Sequence, residues 1–206
     1  MRHSWTRAER AGCRFTLWEP AQVRDRLEAL ERVSSAWLAG RQTREKGFSL
    51  GWFKPDYVAR FPAAVVEQAG RVVAFATVWT SGGRHELSVD LMRQLPDAPE
   101  GVMDYLFAAL MLYGKAEGYR WFNLGMAPFS GMAQNPLAPL WNRLGGLLFR
   151  HGEHFYNFQG LRAYKEKFEP QWEGRYLASP GGLILPQVLA HVAALISGGL
   201  PGLVRK

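Results

Sequence analysis

A single cysteine, Cys13, occurs in 206 residues. One thiol allows no disulfide framework within the chain and no multi-cysteine zinc site, which fits a reducing, cytoplasmic setting. Uninterrupted apolar runs of about 18 or more residues are missing, so nothing in the sequence predicts a bilayer-spanning helix. The N-terminal stretch MRHSWTRAERAGCRF has no apolar core of signal-peptide length. The G-x-x-x-x-G-K-[ST] phosphate loop is also absent, as are the H-E-x-x-H zinc motif and the G-x-S-x-G nucleophile elbow. HGEHF (151–155) has the wrong order for the zinc motif, and NLGMAPFSG (123–131) carries Ser130 without the elbow's spacing. No internal repeat or low-complexity linker interrupts the chain.

What is present is a large apolar fraction and an excess of positive charge. Hydrophobic residues make up 48% and charged residues 21%, enough for a globular domain with a substantial core. Lys and Arg total 25 against 18 Asp and Glu, a formal net charge of +7. That balance suits an anionic partner such as RNA or a phospholipid surface, though a solubility charge gives the same total. Eight Trp suit stacking or a membrane interface as well as a core.

Periodicity predicts alternating elements. Val23, Leu27, Leu30, Val33 and Trp37 fall at helical spacing over 21–40, with Gly40 as the stop. Residues 41–61 are polar and glycine-bearing and read as a loop. Residues 62–93 read as a β-meander punctuated by AGR and SGGR turns. A helix over 101–118 ends at Gly118, and a strand and loop follow over 119–128. Further expected elements are a helix over 136–152, a strand or hairpin over 153–168 broken at Gly160, and an amphipathic helix over 185–200. In that last helix Leu185, Leu189, Val192 and Ile196 share a stripe that packs on the sheet or lies on a membrane interface, and packing is the favoured reading.

This order predicts a mixed α+β acyltransferase fold of the GNAT type, a mostly antiparallel central sheet flanked by helices that opens in the middle to admit an acyl donor. Such enzymes usually hold the coenzyme A pyrophosphate on backbone amides at a helix start, in a Q/R-x-x-G-x-G/A loop. The equivalent stretch here, DLMRQLPDAPEGVMDY, has two prolines and only Gly101. Proline removes amide donors, so the sequence argues against acetyl-CoA as donor.

Late in the chain, LRAYKEKFEPQW (161–172) sets Arg162, Lys165 and Lys167 among Tyr164, Phe168 and Trp172. Cations among aromatics suit either a solvated strand face or the wall of a site for an anionic substrate. Strand alternation would place Lys165 and Lys167 on one face and Tyr164 and Glu166 on the other.

GYRWFNLGMAPFSG, PLAPLWNRLG, LFRHGEHFYNFQGLRAYKEKF and YLASPGGLILPQVL together resemble the C-terminal catalytic region of the phosphatidylglycerol lysyltransferases. These are also called multiple peptide resistance factors and include the alanyl-phosphatidylglycerol synthases. The resemblance is dense from Glu45 to Leu200. It implies transfer of an aminoacyl group, lysyl foremost, from aminoacyl-tRNA to the glycerol hydroxyl of phosphatidylglycerol, at the cytoplasmic face of the bacterial membrane. The product masks lipid charge and gives resistance to cationic peptides. The family's catalytic region is a tandem of two GNAT-like folds behind a membrane flippase, and this chain matches the second fold. A preceding GNAT-like fold and a flippase domain are therefore expected partners outside it. Residues 1–20 are expected to be an N-terminal segment, a remnant of the inter-domain connection, and 21–206 the aminoacyltransferase domain. Two alternatives stand beside this reading: transfer to a peptide or other acceptor, and a tRNA- or membrane-binding fragment inactive without its partner fold.

An aminoacyl ester is already activated, so its transfer needs positioning and charge stabilisation, with no metal or cofactor. By resemblance, Lys165 is the family's active-site lysine, near the acceptor phosphate or the tRNA 3′ end, and Asp90 its catalytic partner. Asp90 would orient the donor's α-amino group or take a proton from the attacking hydroxyl. Arg93 would hold the lipid phosphate by bidentate hydrogen bonds, with Asp90 and Arg93 as a plain surface pair the competing account. Arg162 and Lys167 are expected phosphate contacts. Glu153 is expected either to read a cationic aminoacyl side chain or to pair with Arg150. Glu86 and Asp104 are weaker candidates, and Asn123, Ser130 and Asn142 are expected to hold loops.

Overall fold

A computed structural model of the chain describes residues 2–40, 51–128, 130, 158–176, 178 and 184–196. The chain forms two compact units, residues 1–123 with 175–206, and residues 124–174. In the first unit α1 (Arg2–Arg10) leads into β1 (Cys13–Trp18), followed by α2 (Pro20–Asp25), α3 (Leu27–Ala39) and the short α4 (Pro55–Val58). The meander is β2 (Ala63–Gln68), β3 (Arg71–Thr80) and β4 (Glu86–Gln94), followed by α5 (Val102–Ala116) and β5 (Trp121–Asn123). Numbering among the described elements continues with α6 (Phe158–Glu166) in the second unit and α7 (Ile184–Ile196) in the first.

The strands form one sheet in the order β1-β2-β3-β4-β5, antiparallel except for the parallel β4–β5 pair. This is the mixed, mostly antiparallel GNAT-type sheet expected from the sequence. Its two centre strands are nearly continuous runs of small and β-branched residues, because both faces are covered. The β2–β3 turn runs through Ala69 and Gly70, both at positive φ (50° and 75°), the backbone that a tight hairpin requires.

Register assigns the two faces. Opposite residues of an antiparallel pair share a face, and Phe75 pairs with Arg93 while Thr80 pairs with Leu87. Phe75 and Thr80 are an odd number of residues apart, so Arg93 and Leu87 look to opposite sides. Helix α5 covers the Leu87 side, where Gly114 lets the helix approach closely: a Cβ there would touch the Leu87 side chain at 3.5 Å. Helix α3 and residues 51–61 cover the other side, with Trp37 against Arg93 and Phe53 edge-on to Phe75. Phe75 is fully buried, a burial that contributes about 1.5–3 kcal/mol.

A bulge interrupts the β3–β4 ladder. Ala76 pairs with Met92 and Val78 with Val89, so Asp90 and Leu91 together stand opposite the single residue Thr77. In a regular strand, residues three apart face opposite ways. Because the bulge inserts one residue, Asp90 and Arg93 share the α3 face.

Several expectations are refined or corrected. The helix expected over 21–40 is divided at Arg26 (φ −122°, ψ 21°) into α2 and α3. The expected loop over 41–61 contains α4, which Pro55 starts from the first helical position. Residues 13–18, read as part of a connecting segment, form the edge strand β1 of the same sheet. The strand or hairpin expected at 153–168 is replaced, over its described part, by helix α6. Leu161, Tyr164, Lys165 and Phe168 have the i, i+3, i+4, i+7 spacing of a helix face, a period that outweighs the local aromatic content. In α7, Leu189 and Val192 are 40% and 43% exposed, so the stripe expected to pack on the sheet is not buried at these positions. The helix expected at 136–152 lies outside the described residues. Among those residues, no helix is long and apolar enough to cross a membrane.

The start of α5 is occupied by the chain itself. Ser4 donates to Asp104 at 3.1 Å, Trp5 packs on Tyr105, and Arg7 pairs with Glu100. The Val102 amide already donates to the Pro99 carbonyl at 3.0 Å. The start of α5 is thus closed by α1. Gly101 makes the closure possible: its φ is 81°, and an added Cβ would sit 3.0 Å from Ser4. Gly101→Ala is expected to lower stability by about 1–2 kcal/mol, the cost of a left-handed non-glycine residue, as read by denaturant unfolding.

Candidate functional site

The bulge puts the Asp90 carboxylate beneath the aromatic segment 51–61, where both its oxygens are held. Tyr57 donates its hydroxyl to Oδ2 at 2.7 Å, and the Gly51 amide donates to Oδ1 at 2.9 Å. Gly51 is required by this approach, since a Cβ there would overlap the carboxylate. Tyr57 stacks on Trp52 with ring centroids 5.5 Å apart and meets Phe61 edge-on at 5.0 Å. Phe61 in turn lies 6.2 Å from Trp79. Burial first, then the bond to Asp90 and its negative charge, push the Tyr57 phenol up to about 12, against a smaller opposing effect of Trp79.

Tyr57 and Gly51 are the residues that sequence reasoning missed. The available signal was GWFKPDYVARF, in which aromatics flank a Lys-Pro-Asp helix start, but the segment was read only as a loop. Arg93, on the same face as Asp90, lies over Trp37 with its guanidinium carbon 3.8 Å from the ring centroid. This is the stacking mode for which a planar cation is suited.

The weaker candidates have structural partners. Asp104 accepts from Ser4, tying α1 to α5, and Glu86 accepts from Asn123 at 3.1 Å, clipping β4 to β5.

The second unit carries the other expected cations, and α6 separates their roles. Lys165 is buried at 6% exposure and donates from Nζ to the Met126 carbonyl at 2.8 Å. Gly125 lies beside it with φ 74°, and a Cβ there would stand 3.6 Å from Nζ. Desolvation by burial lowers the Lys165 pKa from its ordinary 10.5. Lys167 is exposed and lies 5.0 Å over the Tyr164 ring. The shared strand face expected for the two lysines is therefore corrected: Lys165 is buried in the last turn of α6, whereas Lys167 lies just past its end and is exposed. Arg162 donates to Glu166 at 2.7 Å and to Ser130 at 3.0 Å and stacks on Trp172 at 4.4 Å, so much of its guanidinium is engaged within the unit. Ser130 serves as the loop anchor expected of it. Glu153 and Asn142 lie outside the described residues.

An open notch of about 750 Å³ lies at the β2–β3 turn, lined by Arg14, Glu67 and Arg71 among others. It is six residues along β3 from Thr77, and Arg71 is paired there with Asp97 at 2.7 Å. The chemistry-bearing groups cluster at the bulge and around Lys165 instead.

Comparison with known proteins places the chain in a family. Residues 1–179 match the family model described as "Phosphatidylglycerol lysyltransferase, C-terminal". The chain is 44% identical over 154 residues to the phosphatidylglycerol lysyltransferase of Bacillus subtilis, covering 74% of this chain and 18% of that protein. It is 40% identical over 164 residues to that of Staphylococcus haemolyticus, covering 79% of this chain and 19% of that protein. The chain thus spans about a fifth of the length of these relatives. A solved C-terminal DUF2156 domain from Agrobacterium fabrum superposes with TM-score 0.82 at 46% identity, over 97% of this chain and 59% of that one. L-PGS from Bacillus licheniformis superposes with TM-score 0.74 at 38% identity, over 95% and 58%.

The raised Tyr57 pKa sets a pH dependence. The unfolded chain releases this proton near pH 10.0 and the folded chain near pH 12, so unfolding becomes easier as pH rises through that window. Tyr57→Phe is expected to remove this part of the loss, measured as the difference in unfolding free energy between the two proteins from pH 9 to 12. Equal slopes would contradict the Tyr57–Asp90 bond.

Proposed function

Since the chain belongs to the phosphatidylglycerol lysyltransferase family, through the C-terminal part of those proteins, we propose that it serves aminoacyl transfer from an aminoacyl-tRNA to the glycerol hydroxyl of phosphatidylglycerol, with lysyl as the group moved. The observation that carries this reading is the bulge, which gives Asp90 and Arg93 one face and fixes the carboxylate between two donors. In the reaction the lipid hydroxyl attacks the ester carbonyl, a new ester C–O bond forms, and the bond to the tRNA ribose breaks. The proton leaves the glycerol hydroxyl and ends on the released ribose oxygen. The reaction is an exchange of one ester for another, so positioning and charge stabilisation supply most of what it needs.

Asp90 has two of its roughly four lone-pair positions taken by Tyr57 and Gly51. A carboxylate fixed in this way is suited to orienting the α-ammonium of the aminoacyl group, and that role is preferred to proton abstraction. Arg93 keeps its planar edge in register through Trp37 and is assigned the lipid phosphate. Lys165, buried and pinned by one carbonyl, is assigned a substrate oxygen, where burial strengthens its field. Lys167 supplies exposed positive charge for either polyanion. Arg162 acts chiefly by holding Ser130 and the turn of α6. The tRNA donor, the cytoplasmic face of the membrane, the resistance role, and a preceding fold and flippase as partners belong to the same proposal.

The test is label transfer from lysyl-tRNA, and separately alanyl-tRNA, into phosphatidylglycerol vesicles. Label from lysyl-tRNA is expected in phosphatidylglycerol and not in phosphatidylethanolamine vesicles, and Asp90→Ala and Lys165→Ala are each expected to lower the rate by about 10²-fold or more. Wild-type rates in both variants would overturn the assignment.

A further inference from the structure

The bulge needs a partner of its own. Where two residues of β4 oppose one of β3, an amide loses its ladder carbonyl, and at a buried position that amide must be satisfied elsewhere. Leu91 is buried, and its amide donates at 3.0 Å to the side-chain hydroxyl oxygen of Thr77. Thr77 is itself fully buried in a strand of Val, Ala and Phe, among which a hydroxyl is costly unless bonded. Valine would fill the same volume without accepting from Leu91.

We propose that Thr77 is a positioning residue for the transfer reaction: its hydroxyl, through the Leu91 amide, fixes the bulge that sets Asp90 on the same face as Arg93. The inference rests on the reading of Asp90 and Arg93 given above. Thr77 acts through the backbone of β4 and touches no substrate. Without its bond, β4 can relax toward regular pairing, and regular pairing turns residues three apart to opposite faces. The carboxylate would then leave Tyr57 and Gly51.

The test compares Thr77→Val with Thr77→Ser, which keeps the hydroxyl. The first readout is amide hydrogen exchange in the 206-residue chain and needs no substrate. Thr77→Val is expected to speed exchange at Leu91 and also at Gly51, whose amide is bonded to Asp90 and not to Thr77. Thr77→Ser is expected to leave both near wild type. Faster exchange at Leu91 alone, or equal effects of the two substitutions, would overturn the proposal. The second readout is transfer kinetics, with the preceding fold of a relative supplied where turnover requires it. Thr77→Val is expected to lower kcat at least tenfold with the KM for lysyl-tRNA within threefold, and to add nothing in an Asp90→Ala background. A wild-type kcat in Thr77→Val, beside an inactive Asp90→Ala, would sink this inference and leave the site reading intact. Wild-type kcat in Asp90→Ala would sink the site reading itself. Should Thr77→Val fail to fold, the exchange pattern of Thr77→Ser decides: protection lost at both amides despite the retained hydroxyl contradicts the role, and protection kept supports it.

Discussion

One extra residue in β4 organises the site-bearing face of the first unit. Strand geometry sends alternate side chains to opposite faces, so an aspartate and an arginine three residues apart should be separated by the sheet. The bulge opposite Thr77 cancels that separation. Much else on this face follows from where the carboxylate then stands. Gly51 must lack a side chain, Tyr57 must turn its hydroxyl inward, and the Trp52–Tyr57–Phe61–Trp79 aromatics are gathered around that hydroxyl. Arg93, paired with Phe75 beyond the bulge, meets Trp37 of α3 on the same face.

The opposite face has a different task. Helix α5 is bedded on the sheet through Leu87 and Gly114, and its first turn is closed by α1 through Ser4, Trp5 and Arg7. That helix start is committed to internal contacts. In the second unit, the last turn of α6 buries Lys165 against a backbone carbonyl while Lys167, just past the helix end, is exposed, so neighbouring positions carry two cations of different character.

The sequence made the meander legible because β2 and β3 are strongly β-branched runs bounded by glycine turns, and α5 because its apolar period is long and stops at Gly118. Asp90 and Arg93 were singled out by resemblance alone, and Lys165 by resemblance and by its place among aromatics. The strand period gives no hint that Asp90 and Arg93 share a face, since a bulge is a property of pairing and leaves almost no mark in one strand's own residues. Tyr57 and Gly51 were hidden for a related reason: their partner is 33 and 39 residues away, and local polarity marked their segment as loop. The segment around Lys165 was misread because aromatic content suggested a strand, whereas the spacing of Leu161, Tyr164, Lys165 and Phe168 carried the helix. The closing of α5 by α1 was unreadable too, because residues 1–20 have no long periodic run of their own.

The central claim is that Asp90 and Arg93 act together in one transfer step, the carboxylate on the donor and the guanidinium on the acceptor, because the bulge gives them one face. A double-mutant cycle on kcat/KM for transfer from lysyl-tRNA to phosphatidylglycerol, using Asp90→Ala, Arg93→Ala and both together, tests it most directly. Residues that hold the two reactants of one step against each other are expected to couple by about 1 kcal/mol or more, with the double variant much less impaired than the product of the single effects. Strictly additive losses would contradict the account and leave Asp90 and Arg93 as independent residues that happen to share a strand.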